Sequence, residues 1–579
     1  MDRKLPQHVT ATLEPPAVQA IDKIKSSAWG TVLPYIAIAC FASLIFWRLG
    51  LVCYESDDVS QTVQYCQCLP TSFSQYIDFI GSLGRGYLHW IYHFVFELCQ
   101  CNLDVAVRAF VAIFVVSAFY LFHTLRRMVS LQSALIGSLL YLCLFAKYRA
   151  IVVYNAQMFI PLVFSAIVML RILTGKLSRG LQCLIISPIF WAGIHFYEIL
   201  MVVVPAFPFF WLGPSIIKRQ WPRWQDLCYS AVPAAITAVH IILIAHAREH
   251  PWDTGHKDFS KLPLYLISLL NSSIDKMFGN EHWSRLQANL LNFFTLDVRH
   301  DHSLWLPLIA VLVFSLWIIY SVWLQPKQYV LSERLVTFSL LWTGLYLCLL
   351  APLITVAEFT DDVPSRLLFL PCLGLALAVA AGLDLIRNMR FYKLCTTAAL
   401  IWCVLEALAF TAIVQQGITA MEVDRHITSL FTSIGDFRLK SGSHVFISLP
   451  FAYRRPVDWF EFKPTYYFVD PEILWVASNL KMQGQTYDYG MRLAPSLMGV
   501  PTSLKPLGMC QWALQTLKQE QSEKLTPFYL DDKDRLRPIT TISFVDKQGR
   551  VVKRINTGLN GHVPPEIEMQ IKLDLDPPL

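Results

Sequence analysis

Residues 31 to 58 read TVLPYIAIACFASLIFWRLGLVCYESDD, a long apolar run followed by three carboxylates within four positions, Glu55, Asp57 and Asp58. A bilayer core needs ~20 apolar residues per helix, so positions 31 to 52 predict a membrane span and the acidic stretch marks where the chain leaves lipid. Similar runs recur near 104 to 124, 130 to 146, 153 to 172, 182 to 196 and 198 to 216, and again near 228 to 247, 303 to 324, 335 to 357, 367 to 386 and 394 to 415. Together they predict about eleven spans. Composition agrees: 55% of the 579 residues are hydrophobic and 16% charged, against ~25% charged in a soluble domain.

The excess of apolar residues lies between positions 31 and 415, while 1 to 30 and 416 to 579 have ordinary polar composition. The predicted fold class is therefore an all-α polytopic membrane domain over 31 to 415, followed by a small soluble α/β or mostly β C-terminal domain over 416 to 579. Residues 1 to 30 are too long and polar for the n-region of a secretory signal, and no small-x-small site closes the run after them, so the first span is read as uncleaved. Basic residues cluster at alternate span ends: Arg3, Lys4, Lys23 and Lys25; Arg126 and Arg127; Arg171, Lys176 and Arg179; Lys218, Arg219 and Arg223; Lys327 and Arg334; Arg387, Arg390 and Lys393. The positive-inside rule makes that face cytoplasmic, with the N-terminal segment, and an odd span number places the C-terminal domain outside. Lys147, Arg149 and Arg366 defy the bias. The net charge of +6 sorts topology in such a chain, so no nucleic-acid partner is expected.

Two outer loops are long, 53 to 103 and 248 to 302. Within the first, GYLHWIYHFVFELC (86 to 99) is too short to span and rich in aromatic residues, which predicts a segment lying along the interface; positions 262 to 294 have similar character. Most of the fourteen cysteines fall in apolar spans and behave as small hydrophobes. Cys66, Cys68, Cys99 and Cys101 bracket the first loop, where two readings stand, a disulfide in an oxidising compartment or free thiols. In the C-terminal domain, 443 to 449 (SHVFISL) predicts a strand, 540 to 545 and 550 to 555 a hairpin around DKQG, and 471 to 481 a helix.

Carboxylates at a membrane rim should face water or a cleft. Asp57 or Asp58 then suits a general base toward an acceptor hydroxyl, with Glu55 beside it, though a solvated helix end or a cation site has the same spacing. Glu198, in HFYEILMVVV, reads either as functional or as a buried partner of an arginine or of His195. Arg366 at the mouth of a span reads either as a phosphate ligand, through its planar bidentate fork, or as a snorkelling anchor. Arg85 and the Lys147-Tyr148-Arg149 turn complete a ring of positive charge suited to a phosphate. Asn155 and Gln157 can hydrogen-bond a sugar or a neighbouring helix. The outer histidines, His89, His93, His246, His250, His256 and His282, form no tight ligand motif.

These residues together resemble the GT-C class of multispanning glycosyltransferases, within it the protein O-mannosyltransferase-like branch and its bacterial relatives. Three stretches carry the likeness: 55 to 58, where the family places its catalytic acidic pair; His195 to Glu198, similar to a Ser-Lys-Glu element; and SRLLFLPCLG (365 to 374), similar to a Glu-Arg-Tyr-Leu-Tyr-Leu-Pro-Ser-Leu-Gly pattern. The likeness covers roughly 30 to 390. Arg85-Gly86 stands where the family often has Arg-Pro, and Asn155 where it has an arginine. The resemblance implies a polyprenyl-phosphate sugar donor and inverting transfer of a hexose on the outer membrane face, to an envelope glycan, lipid or protein acceptor; the absence of eukaryotic retention or lipidation signals makes a bacterial inner membrane the expected location. Asp57 and Asp58 would be catalytic, with Glu55, Arg85, Lys147, Arg149, Asn155, Gln157, His195, Glu198 and Arg366 binding substrate. No cofactor follows from these residues, and a divalent metal stays open. Two rival classes share the topology: a transporter or flippase of an anionic lipid or solute, and a noncatalytic subunit of envelope polysaccharide assembly.

Overall fold

The computed structural model describes residues 28–47, 98–99, 103–152, 157, 159–196, 200, 203, 207–212, 221–247, 262–295, 304–324, 333–350, 365–432, 444–448, 525–530, 536–538, 541–545, 548, 550–556 and 568–572. Helices dominate: α1 (Ala28–Ile45), α2 (Leu103–Leu125), α3 (Leu131–Cys143), α4 (Tyr148–Val152), α5 (Phe159–Leu173), α6 (Arg179–Phe196) and α7 (Phe207–Trp211). They continue as α8 (Trp224–Ala247), α9 (Leu262–Phe278), α10 (Asn280–Thr295), α11 (Trp305–Leu324), α12 (Glu333–Leu350), α13 (Phe369–Leu385) and α14 (Tyr392–Thr432). The chain divides into two compact units, one holding most of these helices (1–47, 110–148 and 159–412) and one holding 48–109, 149–158 and 413–579.

Helix α11 shows why the first unit belongs in lipid. Its twenty residues carry no charge and extend about 30 Å, the thickness of a bilayer core. Leu306, Ile309, Val313, Leu316, Tyr320 and Trp323 are all exposed, at spacings that run round one broad face. Water would penalise that face and acyl chains do not. Three stretches, Val105–Leu125, Trp305–Trp323 and Tyr392–Gln415, are long and apolar enough to cross a membrane, and six further apolar helices are shorter. The protein is thus a membrane protein, and three helices among the described residues are of full spanning length.

Several expected boundaries move for local reasons. Helix α3 stops at Cys143 instead of 146 because Leu144 adopts ψ 110, after which Phe145–Lys147 rewinds as a 3-10 turn. At its other end Ser130 caps the helix by accepting from Ser133 N, while the Ser130 amide donates to Asp384 Oδ1 at 2.8 Å. Helix α14 continues to Thr432, well beyond the expected end at 415. The expected interfacial stretch 262 to 294 resolves into α9 and α10, which break at Gly279.

The centre of the helical unit is the α3–α13–α12 packing. Cβ atoms added at Gly137 and at Gly344 would stand 2.7 Å from Ala380 Cβ and 2.7 Å from the Gly374 carbonyl oxygen, so backbones touch where Gly344 meets Gly374. Such close approach between spanning helices is what small residues permit. Gly374→Val is expected to destabilise the protein by about 1–3 kcal/mol through overpacking, read as a lower thermal midpoint in detergent, with Gly382→Val, whose added Cβ would meet nothing within 4 Å, as the neutral control.

The second unit contains two three-stranded sheets. In one, β1 (His444–Ser448) runs parallel to β2 (Leu525–Leu530), which pairs antiparallel with β3 (Leu536–Pro538). In the other, β4 (Thr541–Val545) lies between β5 (Val551–Asn556), antiparallel, and β6 (Glu568–Lys572), parallel. The alternating TISFV and VVKRIN segments form the hairpin about DKQG, with a register shift at Phe544 and Val545. The expected helix at 471 to 481 lies outside the described residues.

Candidate functional site

The end of α3 is where charge enters the bundle. The Phe145–Lys147 turn follows a helix whose residues are buried on nearly every side, so it carries the Lys147 side chain inward and leaves it fully buried. The ammonium donates to the Leu144 carbonyl at 2.8 Å and stands 5.5 Å from the ring centroids of Phe114 and Tyr141 and 6.0 Å from that of Phe410. An ammonium has three protons. One is used on Leu144, the rings offer only their negative faces, and no carboxylate pairs with it among the described residues. Burial pushes its proton affinity down from the ordinary lysine range to about 8.

Beside it lies a second buried centre built on Glu406 of α14. Glu406 Oε2 accepts from the Phe145 amide at 3.1 Å, and Oε1 accepts from Trp402 Nε1 at 2.7 Å and meets His282 Nε2 at 2.7 Å. His282, at the start of α10, turns its Nδ1 to the Lys276 carbonyl at 3.2 Å and stacks its ring on Phe145 at 4.8 Å. A carbonyl only accepts, so Nδ1 carries a proton and the second is shared along Nε2···Oε1. Both side chains of the pair are fully buried. Around them the Phe145–Lys147 turn packs against the 3-10 turn Ser365–Leu368, and α9 packs against the same turn.

The expected site residues fall unevenly on this geometry. Lys147 is at its centre. Arg366 lies in the Ser365–Leu368 turn, Arg149 in α4 and His195 in the last turn of α6, placed by backbone. Gln157 is buried, donates to the Ile151 carbonyl at 2.7 Å, and keeps an Oε1 without a partner among the described residues. Glu55, Asp57, Asp58, Arg85, Asn155 and Glu198 lie outside the described residues. Cys99 is a free thiol, and Cys66, Cys68 and Cys101 also lie outside. Sequence reasoning passed over Glu406 and Trp402, and read His282 only as an outer-loop histidine. The missed signal was a lone acid inside the apolar run 394 to 415, which seldom faces lipid.

No family model and no curated protein matches the chain. Among solved structures it is similar to the apo crystal structure of ArnT from Cupriavidus metallidurans, at 12% identity and a TM-score of 0.33, over 88% of this chain and 94% of that one.

Proposed function

We propose that the chain is a GT-C type membrane glycosyltransferase that moves a hexose from a polyprenyl-phosphate donor to a hydroxyl of an envelope glycan, lipid or protein. One juxtaposition supports this reading: the turn bearing the buried Lys147 packs on the turn that opens SRLLFLPCLG and bears Arg366. Two cationic residues distant in sequence thus belong to adjoining turns, as a phosphate needs. The acceptor oxygen attacks the anomeric carbon as its proton passes to Asp57 or Asp58. The bond from that carbon to the phosphate oxygen breaks, and the polyprenyl phosphate leaves as an anion with its charge held by Lys147 and Arg366. Configuration inverts, and no covalent enzyme intermediate forms.

The buried ammonium gives this reading a pH signature. Burial disfavours the charged form, so Lys147 is cationic below about pH 8 and loses its charge as pH rises through that value. Donor kcat/KM is expected to fall above about pH 8, the free enzyme's ionisation controlling it. Lys147→Met is expected to flatten that limb and to raise donor KM by about 10-fold to 100-fold, the worth of one charged hydrogen bond. The deciding assay is purified protein with radiolabelled polyprenyl-phosphate sugar and membrane-extracted acceptors; absence of labelled product with every acceptor class would sink the enzyme reading.

A transporter of an anionic lipid or solute is favoured by one observation, the fully buried Glu406–His282 pair, since ionisable residues inside spans often relay protons. Proton-coupled uptake by proteoliposomes without any transfer of label would select it.

A further inference from the structure

At the opposite end of the helical unit, where α2 and α5 terminate, three arginines gather without a carboxylate. Arg171 NH2 lies 3.4 Å from His123 Nε2, His123 Nδ1 lies 3.3 Å from the Tyr35 hydroxyl, and Arg126 NH1 donates to that hydroxyl at 3.5 Å. Arg127 is close enough for its charge to act on both His123 and Arg171. A guanidinium cannot accept, so His123 Nε2 accepts from Arg171, and its proton sits on Nδ1 and is given to Tyr35. The Tyr35 oxygen therefore receives two donors, and its own proton is left to point away from both.

The Tyr120 hydroxyl also faces the Arg171 guanidinium, and no carboxylate joins these groups among the described residues. Arg171 NH1 is buried with no hydrogen-bond partner among the described residues. Arg179 makes the contrast: it is ion-paired with Asp226. None of Arg126, Arg127 and Arg171 has such a partner among the described residues. Arg126 and Arg127 are exposed and Arg171 is half-buried, and like charges brought together there repel one another, a repulsion that a bound anion relieves. Arginine forks match the oxygens of a phosphate. The cluster also sits where apolar helices end, at the level of lipid headgroups, on the face to which the positive-inside rule assigns the cytoplasm.

We infer that Arg126, Arg127, Arg171 and Tyr35 form a binding site for a phosphate-bearing anion, the headgroup of an anionic phospholipid. Arg171 holds one phosphate oxygen from the buried side, Arg126 and Arg127 close over it from the exposed side, and Tyr35 donates its hydroxyl proton. His123 is a positioning residue that fixes Arg171 and Tyr35. The inference is independent of the transferase reading, because the site lies at the other end of α3.

The test uses the full chain in nanodiscs of phosphatidylcholine with or without one-fifth phosphatidylglycerol, followed by native mass spectrometry of retained lipid. Wild type is expected to retain phosphatidylglycerol preferentially, and Arg126→Gln/Arg171→Gln to weaken that retention about tenfold, the loss of one charge-assisted contact or more. Arg126→Lys/Arg171→Lys, which keeps charge, is expected to restore most of it. Should the double glutamine variant not fold, the exposed Arg126→Gln alone decides, by the same loss of preference. Equal retention of the two lipids by wild type, or undiminished phosphatidylglycerol on the glutamine variants, overturns the site. Displacement of the lipid by millimolar inorganic phosphate would assign it to the free anion and overturn the headgroup.

Discussion

Replacement of the two first-loop aspartates is expected to give unequal losses: one of Asp57→Asn and Asp58→Asn should lower the rate of sugar transfer by about 10²–10⁴-fold, the range general-base removal gives, and the other by much less. An asparagine keeps the size and hydrogen-bonding shape of the carboxylate but cannot take the acceptor's proton. The loss should fall on kcat with donor KM little changed, because the donor phosphate is assigned to Lys147 and Arg366. That split separates the aspartates from Lys147, whose replacement is expected to do the reverse. It also separates a base from the two bland readings of the same stretch. A solvated helix end would tolerate both substitutions, and a cation site would lose activity in both variants together and regain it with added divalent ion. Equal transfer by wild type and both variants would remove the acidic stretch from the mechanism.

The apolar runs were legible from the sequence because their signal, a long segment without charge, needs no partner to be read. Helix α11 is the clearest case, since every position between Trp305 and Leu324 is compatible with lipid. Boundaries were less legible where one backbone angle decides them: nothing in LCLFAK announces that Leu144 leaves the helix and that 145 to 147 rewind. The Gly344–Gly374 contact was hidden for a different reason, because a close crossing depends on which two helices face each other. Lys147 was visible as a basic residue on the wrong side of the membrane, and its burial among Phe114, Tyr141 and Phe410 was not, since those rings come from three separate helices. Glu406 shows the limit of loop-centred reading. Attention to outer loops favoured Glu198 and the acids after the first span, while the acid that organises the described site sits inside a span and meets His282 from 124 positions away.

Glu406→Ala is expected to destabilise the helical unit by about 3–5 kcal/mol, the loss that follows when one partner of a buried ion pair is removed and the other is left uncompensated. Three groups would lose their acceptor at once: His282 Nε2, Trp402 Nε1 and the Phe145 amide. Glu406→Gln keeps one acceptor oxygen, enough for the Phe145 amide or the Trp402 indole but not for both, because they bond different oxygens of the carboxylate, and it should still cost less than Glu406→Ala. The pair as a whole need not stabilise, because its attraction is offset by the desolvation of two ions. The double replacement Glu406→Leu/His282→Phe is therefore expected to recover part of what Glu406→Ala loses, short of the ~1–3 kcal/mol owed to each of the Phe145 amide and the Trp402 indole, both left without their acceptor. Denaturant unfolding in detergent of the single and double variants measures the coupling directly. A purely additive result would mean that Glu406 and His282 do not share a proton in the folded protein. Strong coupling would tie α10 and α14 to the turn that carries Lys147, since the Phe145 amide is the link between the carboxylate and that turn. Loss of Glu406 should then loosen the Lys147 turn as well, and raise donor KM in any variant stable enough to assay.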